Sequence, residues 1–587
     1  MTVVNSRTKR KICRRQQPEN LPAFLLELPP ILARVYSTRN IHSASELDNS
    51  LKGLLPFNKL KGMDKAVQLL MDALKSKASI LIIGDFDVDG ATSTAVAVRA
   101  LKLMGHDNVS YLVPNRFEYG YGLTPEIVDV AQKSNPDLII TVDNGIASVA
   151  GVIRAKELGI KVLVTDHHLP GDTLPDADAI VNPNQPDDEF ECKATAGVGV
   201  IFYTMMALRT ALRDANWFND ERVEPNLAEL LDLVALGTVA DVVPLEHNNR
   251  ILISQGLARI RSGKVSTGLK VLIDVAKRDY RQLKASDMGF AIAPRINAAG
   301  RLEDMSVGIE CLLCDDEAKA SILATELDTL NHSRREIENE MKQQAFQILD
   351  SLLKEDTSTS ESVPVALCLH QDDWHEGVIG ILASRIKDYF HRPVIVFATA
   401  KDEMLKGSAR SIPGLHLRDV LDEVSKLKPE LIEKFGGHAM AAGLTIAKSN
   451  LKEFELAFEK QVAKHLTDEK LQNVLLTDGN LETNEINIDT AELLQSAGPW
   501  GQHFPEPLFD GQFEIVNKRI VGEKHLKLVL RSVDSDKSHT IDAIAFNTTD
   551  SHWPAESSRV DTVFKLDINE YMGNRSAQLL VEYIEPV

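Results

Sequence analysis

The chain has 587 residues, 44 % of them hydrophobic and 26 % charged, with a net charge of −20. That is the makeup of an ordinary multidomain globular protein; no stretch approaches 18 uninterrupted apolar residues, so no membrane-spanning helix is expected, and the acidic balance argues against a general nucleic-acid coat protein. Five scattered cysteines fit a reducing compartment, and no signal-type apolar run follows the basic Arg7–Arg15 head, so a cytoplasmic protein is expected.

In chain order, residues 1–54 read as an N-terminal segment, partly ordered at best, with few periodic apolar positions. Residues 55–314 read as an α/β domain with a mainly parallel sheet. Three β-branched runs stand out in it, Ile80–Ile83, Leu138–Val142 and Lys161–Thr165. Each is short, bounded by Gly or Asp and spaced by helix-length segments, as buried parallel strands are. Each is followed by an acidic signature: Asp85-Phe-Asp87-Val-Asp89-Gly90, Val142-Asp143-Asn144-Gly145 and Thr165-Asp166-His167-His168. In open α/β sheets the working crevice lies at the carboxyl ends of the strands. Three strands therefore deliver carboxylates and imidazoles to one edge, the makings of a metal site. Asp85, Asp87 and Asp89 are expected to alternate along an extended segment, with a helix beginning at Thr92.

Oxygen ligands dominate, imidazole is the minority and no thiolate is near, which favours Mg²⁺ or Mn²⁺ over zinc. The carboxylates outnumber what one ion needs. Two divalent cations about 3.5–4 Å apart, bridged by one Asp, would use them all. Any single Asp after a strand is at least as often a helix cap or turn former; the joint set with two histidines is not.

Further along, Leu227–Val239 reads as a buried helix ending at Asp241, one more carboxylate. Residues 258–285 carry eight basic side chains, Arg259 and Lys264 among them, against Asp274 and Asp279. They form either a solvated helix face or part of a phosphate-tracking groove. Cys311 and Cys314 have CxxC spacing without a second pair, in an apolar helical context, and read as core. Residues 315–362 are a connector: a helix over 316–354 with Leu323, Leu327, Leu330, Ile337, Met341, Ile348 and Leu352 at three- and four-residue steps, then a polar linker. Residues 363–465 form a second α/β lobe, with strands at Val363–Leu369 and Val394–Ala398 flanking the helix Ile379–Lys387. In residues 466–587, five or so short strands from Phe513 onward suggest a small barrel, with the OB fold as the natural candidate. There is no Walker A string, and Ile379 stands where a zincin would need its second histidine, so neither an ATP-driven helicase nor a metalloprotease is indicated.

The Asp-x-Asp-x-Asp-Gly, Val-Asp-Asn-Gly and Asp-His-His series resembles the DHH phosphoesterase superfamily. The strings Asn115–Leu123, Gly237–Leu245, Pro294–Arg301, Trp374–Gly380, Lys406–Arg410 and Gly436–Gly443 are similar to its RecJ branch, the single-strand-specific DNA exonucleases, from about residue 50 to the C-terminus. The resemblance implies a DHH-type parallel-sheet lobe, a long helix, a second α/β lobe like DHHA1 and a C-terminal OB-like barrel. It implies a 5′-to-3′ exonuclease that degrades single-stranded DNA to 5′-mononucleotides in recombination and repair. A phosphodiesterase acting on short oligonucleotides or cyclic dinucleotides is the alternative.

Carried over residue by residue, the family motif makes Asp85, Asp87, Asp89, Asp143, His167 and Asp241 metal ligands, with Asp143 bridging. His168, Asp143 and Asp89 become the catalytic set, His168 donating to a non-bridging oxygen of the scissile phosphate or to the leaving group and Asp166 orienting its neighbours. Arg116, Asn297, Arg301, Ser408, Arg410, Gly436, Gly437 and His438 become phosphate- or DNA-binding. The resemblance also implies a single-strand-binding protein and a helicase as partners, and a monomer is expected. Lys518, Arg519, Lys524 and Lys527 are expected on the groove of the barrel, with ordinary surface lysines as the alternative.

Overall fold

The computed structural model describes residues 10–114, 122–355, 363–467, 469–522, 525–533, 540–546, 548, 557–571 and 573–587. Two compact units emerge. One comprises Pro18–His332 and Gln495–Glu506; the other comprises Met1–Gln17, Ser333–Leu494 and Pro507–Val587. The second unit begins with the strand β1 (Arg10–Arg14).

In the first unit, α1 (Pro30–Tyr36) and α2 (Met63–Ser76) lead into a five-stranded sheet of β2 (Ile80–Gly84), β3 (Val109–Leu112), β4 (Leu138–Val142), β5 (Lys161–Thr165) and β6 (Ala179–Val181). Its order is β3-β2-β4-β5-β6 and every pairing is parallel. Both faces are covered, and so β2 and β4 are buried throughout and almost wholly apolar, Thr141 being the exception. Leu81, Ile83, Ile139, Val162 and Val164 pack on one face against the helices Pro125–Ala131 and Val149–Glu157. On the other side lie α3 (Val88–Leu103), α4 (Gly197–Asp214), α5 (Leu231–Ala240) and α6 (His247–Arg261). The unit closes with α7 (Ala293–Leu302) and the first part of α8 (Glu317–Glu355).

The N-terminal region is more ordered than composition suggests. Leu25, Ile31, Leu32, Val35 and Tyr36 are buried. Tyr36 stacks near Phe504 and Trp500, and its hydroxyl donates to Ala497 O at 2.7 Å. These partners lie more than 450 residues away in sequence, beyond the reach of any local periodicity. The segment Gln495–Glu506 thus completes the first unit although it lies within the expected barrel region; Leu245 N donates to Gln502 O at 2.8 Å.

Along α8 the buried positions are Ala320, Ala324, Leu327, Leu330, Asn331, Arg334, Glu338, Met341, Ala345 and Leu349. Leu323, Ile337 and Ile348 of the expected stripe are only half-buried, and the Leu352 side chain lies outside the described residues. Alanines and a polar middle, in which Glu338 accepts from Arg334 at 2.6 Å and Arg385 at 2.9 Å, take the inward face.

The second unit holds a five-stranded sheet of β7 (Leu367–Gln371), β8 (Val394–Thr399), β9 (Met404–Arg410), β10 (Lys434–Gly437) and β11 (Ala441–Ala447), in the order β10-β11-β9-β8-β7. The helix α9 (Ile379–Phe390) joins β7 to β8, and α10 (Leu417–Leu427) and α11 (Leu451–His465) share the core with Phe397, Phe454 and Phe458. β12 (Asn473–Thr477) pairs parallel with β1. A closed barrel follows, made of β13 (Phe509–Val521), β14 (His525–Ser532), β15 (Ile541–Ala545), β16 (Arg559–Tyr571) and β17 (Asn574–Pro586), in the order β13-β14-β15-β17-β16. Among the described residues, no helix is long and apolar enough to cross a membrane.

β1 is anchored by charge. Arg14 donates to Asp510 from Nη2 at 2.6 Å and from Nε at 3.1 Å, and the Thr477 hydroxyl donates to the same carboxylate. Asp510→Ala removes an acceptor shared by three strands. It is expected to cost about 2 kcal/mol, as hydrogen bonds to charged groups do, read as a lower denaturant midpoint for the unit containing the barrel.

Candidate metal centre

The carboxyl ends of β2, β4 and β5 bring the expected residues together. Asp85 follows β2, Asp87 caps α3 by accepting from Gly90 N at 3.1 Å, and Asp89 lies in that helix's first turn. The expected extended run is therefore corrected: the helix begins at Val88, not Thr92, because Asp87 supplies its cap. Asp143 follows β4 with φ +61°, a left-handed conformation that Asp tolerates better than most residues. His167 and His168 follow β5, and Asp241 stands at the C-terminal end of α5.

Ligand atoms fall into three overlapping groups, each within 4.8 Å: Asp85, Asp87 and Asp143; Asp89, His167 and Asp241; Asp143, His167 and His168. Asp143 links the first group to the third. His167 Nε2 lies 3.1 Å from Asp143 Oδ1, 3.5 Å from Asp241 Oδ2 and 3.9 Å from Asp89 Oδ2.

The surroundings are tailored to carboxylates. Asp89 accepts from Gly197 N at 2.7 Å and Val198 N at 2.9 Å, the positive N-terminal end of α4. A side chain could not stand where Gly197 or Gly237 does. A Cβ on Gly197 would fall 2.7 Å from Asp143 Cβ, and one on Gly237 would fall 2.2 Å from Thr92 Oγ1 and 3.0 Å from Asp89 Oδ1.

Burial, reinforced by neighbouring carboxylates, pushes Asp89 and Asp241 up to about 7 and Asp143 well above its ordinary range. Burial lowers His167. It would lower His168 too, but the Asp166 hydrogen bond and charge prevail and hold it at about 9. Asp166 itself, despite burial, is drawn below its usual range by both histidines. Its Oδ1 accepts from His168 Nδ1 at 2.7 Å, His167 N at 2.7 Å and His168 N at 3.1 Å, and its Oδ2 from Ile146 N at 2.9 Å. Asp166 is thus an orienting group.

Several supporting residues escaped the sequence reading. Asn144 donates to Ile83 O and Val142 O, tying the ends of β2 and β4. Asn182 and Asn184 donate to the carbonyls of His168 at 3.0 Å and His167 at 2.6 Å. The string Val181-Asn182-Pro183-Asn184 after a short strand was the available signal. Asn297, expected to clamp a phosphate, accepts from Val88 N at 3.2 Å through its Oδ1 and so also braces the start of α3. Arg301 lies in the last turn of α7, and Arg116 lies outside the described residues. In the basic run 258–285, Arg261 donates to Leu283 O and Arg278 pairs with Asp287, so these two serve local structure. Cys311 and Cys314 are buried in the core.

The second unit gathers another expected set. Ser408, Gly443 and Gly436 are level across β9, β11 and β10, with Arg410 opposite Ala441. Arg410 Nη1 donates to Ser408 Oγ at 3.1 Å and Ala409 O at 2.8 Å, and burial depresses its basicity. A Cβ on Gly380, in the first turn of α9, would fall 2.9 Å from Arg410 Nη2, so a helix N-terminus adjoins the guanidinium. Gly437 ends β10, and His438 N donates to Ala441 O at 2.8 Å. Backbone amides, a hydroxyl and a guanidinium together suit an anion. In the barrel, Lys527 pairs with Asp542 at 3.2 Å, Lys518 and Arg519 lie on the exposed end of β13, and Lys524 lies outside the described residues.

A parallel sheet whose strand ends converge on Asp and His, followed by a separate glycine-rich α/β lobe, defines a phosphoesterase of the DHH type. The DHH family N-terminal domain matches residues 79–238, the DHHA1 domain residues 361–464 and the RecJ OB domain residues 477–583. The chain is 54 % identical over 583 residues to the single-stranded-DNA-specific exonuclease RecJ of Salmonella typhimurium, covering 99 % of this chain and 100 % of that protein. It is 52 % identical to the Escherichia coli enzyme of the same description, over 98 % of this chain and 99 % of that one. A crystal structure of RecJ from Thermus thermophilus with Mn²⁺ superposes with a TM-score of 0.79 at 30 % identity, covering 99 % of this chain and 80 % of that chain. The chain belongs to the RecJ family of single-stranded-DNA-specific exonucleases.

Removing the Asp166 carboxylate leaves desolvation as the largest influence on His168. In metal-free Asp166→Ala the His168 pKa is expected to fall from about 9 toward or below the ordinary histidine value of about 6.5. The imidazole is then protonated only in acid, where the intact protein keeps it protonated through neutral pH. A ¹⁵N-histidine NMR titration reads the shift; an unchanged midpoint removes Asp166 from this role.

Proposed function

We infer that this chain is a metal-dependent exonuclease acting on single-stranded DNA from the 5′ end. The observation that carries this is the buried group of Asp85, Asp89, Asp143, Asp241 and His167. Its ligand atoms crowd into overlapping groups within 4.8 Å, and it includes an Asp241 Oδ2 with no hydrogen-bond partner among the described residues. Such crowded carboxylates call for counter-charge, and the donor set of oxygens with imidazole fits Mg²⁺ or Mn²⁺. The Thermus thermophilus relatives were crystallised with Mn²⁺ and with Mg²⁺.

Asp85, Asp87 and Asp143 would hold one cation, and Asp89, His167, Asp241 and Asp143 the other. Two such cations supply a water nucleophile at neutral pH and stabilise the attacking and leaving oxygens of an in-line displacement. Asp89 keeps its place through the α4 amides. His168, kept protonated by Asp166, donates to a phosphate oxygen as charge develops. Ser408, Arg410, Gly436, Gly437 and His438 receive a phosphate of the strand. Asn297, which also braces the start of α3, would clamp nearby phosphates together with Arg301 and Arg116. Work in recombination and repair, in the cytoplasm, as a monomer with a single-strand-binding protein and a helicase supplying unwound strands, completes the proposal.

Asp143→Ala or Asp87→Ala is expected to abolish cleavage while leaving the fold intact. Calorimetric titration with Mn²⁺ should show fewer than the two ions of the parent protein. Near-parental turnover at saturating Mn²⁺ sinks the two-cation assignment.

Arg410→Ala is expected to weaken 5′-phosphoryl strands by roughly ten- to hundredfold, as loss of a charge-assisted bond of about 1.5–3 kcal/mol does. Strands with a 5′-hydroxyl should suffer less; an equal loss on both means that Arg410 does not hold the terminal phosphate.

Cation binding must also displace protons held by Asp89 and Asp241 near pH 7. Apparent Mn²⁺ affinity is therefore expected to rise with pH through this range, with proton release largest on the acid side. Calorimetry in buffers of different ionisation enthalpy measures it, and a flat profile contradicts the raised carboxylates.

A further inference from the structure

Phe290 is 82 % exposed, more than any other large hydrophobic side chain among the described residues. It lies in a single π-helical turn, Met288–Ile292, in which Met288, Ala291 and Ile292 are buried. Turns of this kind concentrate at functional sites because they re-aim one side chain at the expense of regular hydrogen bonding. The turn packs against the end of α5 that delivers Asp241: a Cβ on Gly289 would lie 3.5 Å from Val239 Cγ1. It also runs directly into α7, whose Asn297 braces α3.

Two more exposed apolar side chains adjoin the same centre. Val242, next to Asp241, is 63 % exposed and holds a φ of +61°, a conformation that a β-branched residue adopts only under constraint. Leu169, next to His168, is 60 % exposed. Isolated exposed apolar residues are ordinary. Three of them, each adjoining a site residue in sequence or packed on the element that carries one, fall on segments that carry the charged centre.

We propose that Phe290 is a stacking platform for an unpaired nucleobase, with Val242 and Leu169 completing an apolar rim that receives the strand near the scissile phosphate. The inference rests on the proposed action on single-stranded DNA. Such a substrate alternates phosphates with apolar base faces. The carboxylate and imidazole cluster, once loaded, serves only the phosphates, so the bases need a separate surface. An exposed phenyl ring offers the sequence-tolerant π face that single strands use. Phe290 is a positioning residue: it fixes the base, and through it the register of the phosphodiester, without touching the reacting atoms.

The test is binding without chemistry. In EDTA and low salt, a single strand with 2-aminopurine near its 5′ end is titrated with the full chain, with Phe290→Ala and with Phe290→Trp. One stacked base is worth about five- to a hundredfold in affinity. Phe290→Ala is expected to weaken binding within that range and to abolish the 2-aminopurine quench, whereas Phe290→Trp restores both. A strand with an abasic site at the stacked position should lose affinity for the parent protein and no more for Phe290→Ala. With Mn²⁺, the alanine variant should show a raised KM for single strands with a smaller change in kcat. Parental binding and quench in Phe290→Ala, or an equal abasic penalty in both proteins, overturns the proposal while the exonuclease reading stands. A parent protein that neither binds nor degrades single strands overturns both.

Discussion

Buried like charge is the constraint on which the first unit is built. Asp85, Asp89 and Asp143 are buried and Asp241 nearly so, and neighbouring carboxylates add to burial in raising the proton affinity of Asp89, Asp143 and Asp241. A hydrophobic core alone would expel such a group. The fold tolerates it by surrounding it with fixed dipoles: α4 points its amides at Asp89, Gly90 donates to Asp87, and Asp166 holds both histidines. The remaining imbalance is what a pair of divalent cations would neutralise, so the instability of the metal-free centre and its affinity for metal have one origin.

Rigidity at this centre comes from the sheet rather than from the ligands. β2, β4 and β5 are covered on both faces and aligned in register, so their carboxyl ends form a level edge. α3 and α4 start at that edge, and α5 ends there. Gly197 and Gly237 allow these helices to approach the carboxylates more closely than any side chain permits. The ligands are then fixed by the placement of whole elements, which suits a site that must keep two cations a few ångströms apart.

The sequence was most legible where chemistry and periodicity coincide. The three β-branched runs and their acidic endings place β2, β4, β5 and the cluster almost to the residue, because a doubly covered strand is mostly apolar. It was less legible where a local signal has two uses. Asp87 is both a cap and a candidate ligand, so the start of α3 fell four residues before the expected Thr92. The bracing role of Asn297 was hidden because nothing nearby in sequence reveals that Val88 N needs an acceptor. α1 and β1 were unreadable for a plainer reason: their partners, Phe504 and Asn473–Thr477, lie at the opposite end of the chain. The stripe on α8 was only partly read because Leu327, Leu330 and Met341 share the inward face with alanines and a buried Arg–Glu pair.

The return of residues Gln495–Glu506 to the first unit bears on the order in which the protein is made. Leu245 lies four residues beyond Asp241 and takes its backbone partner from Gln502; Arg250 lies over the ring of Phe504 at 4.4 Å. A ribosome that has released all six proposed metal ligands must still translate some 250 further residues before that support exists. Domains generally fold as units during synthesis, but this one stays short of its last segment until residue 506 has been made. The segment that backs Leu245 and Arg250 is therefore the last part of the first unit to be made.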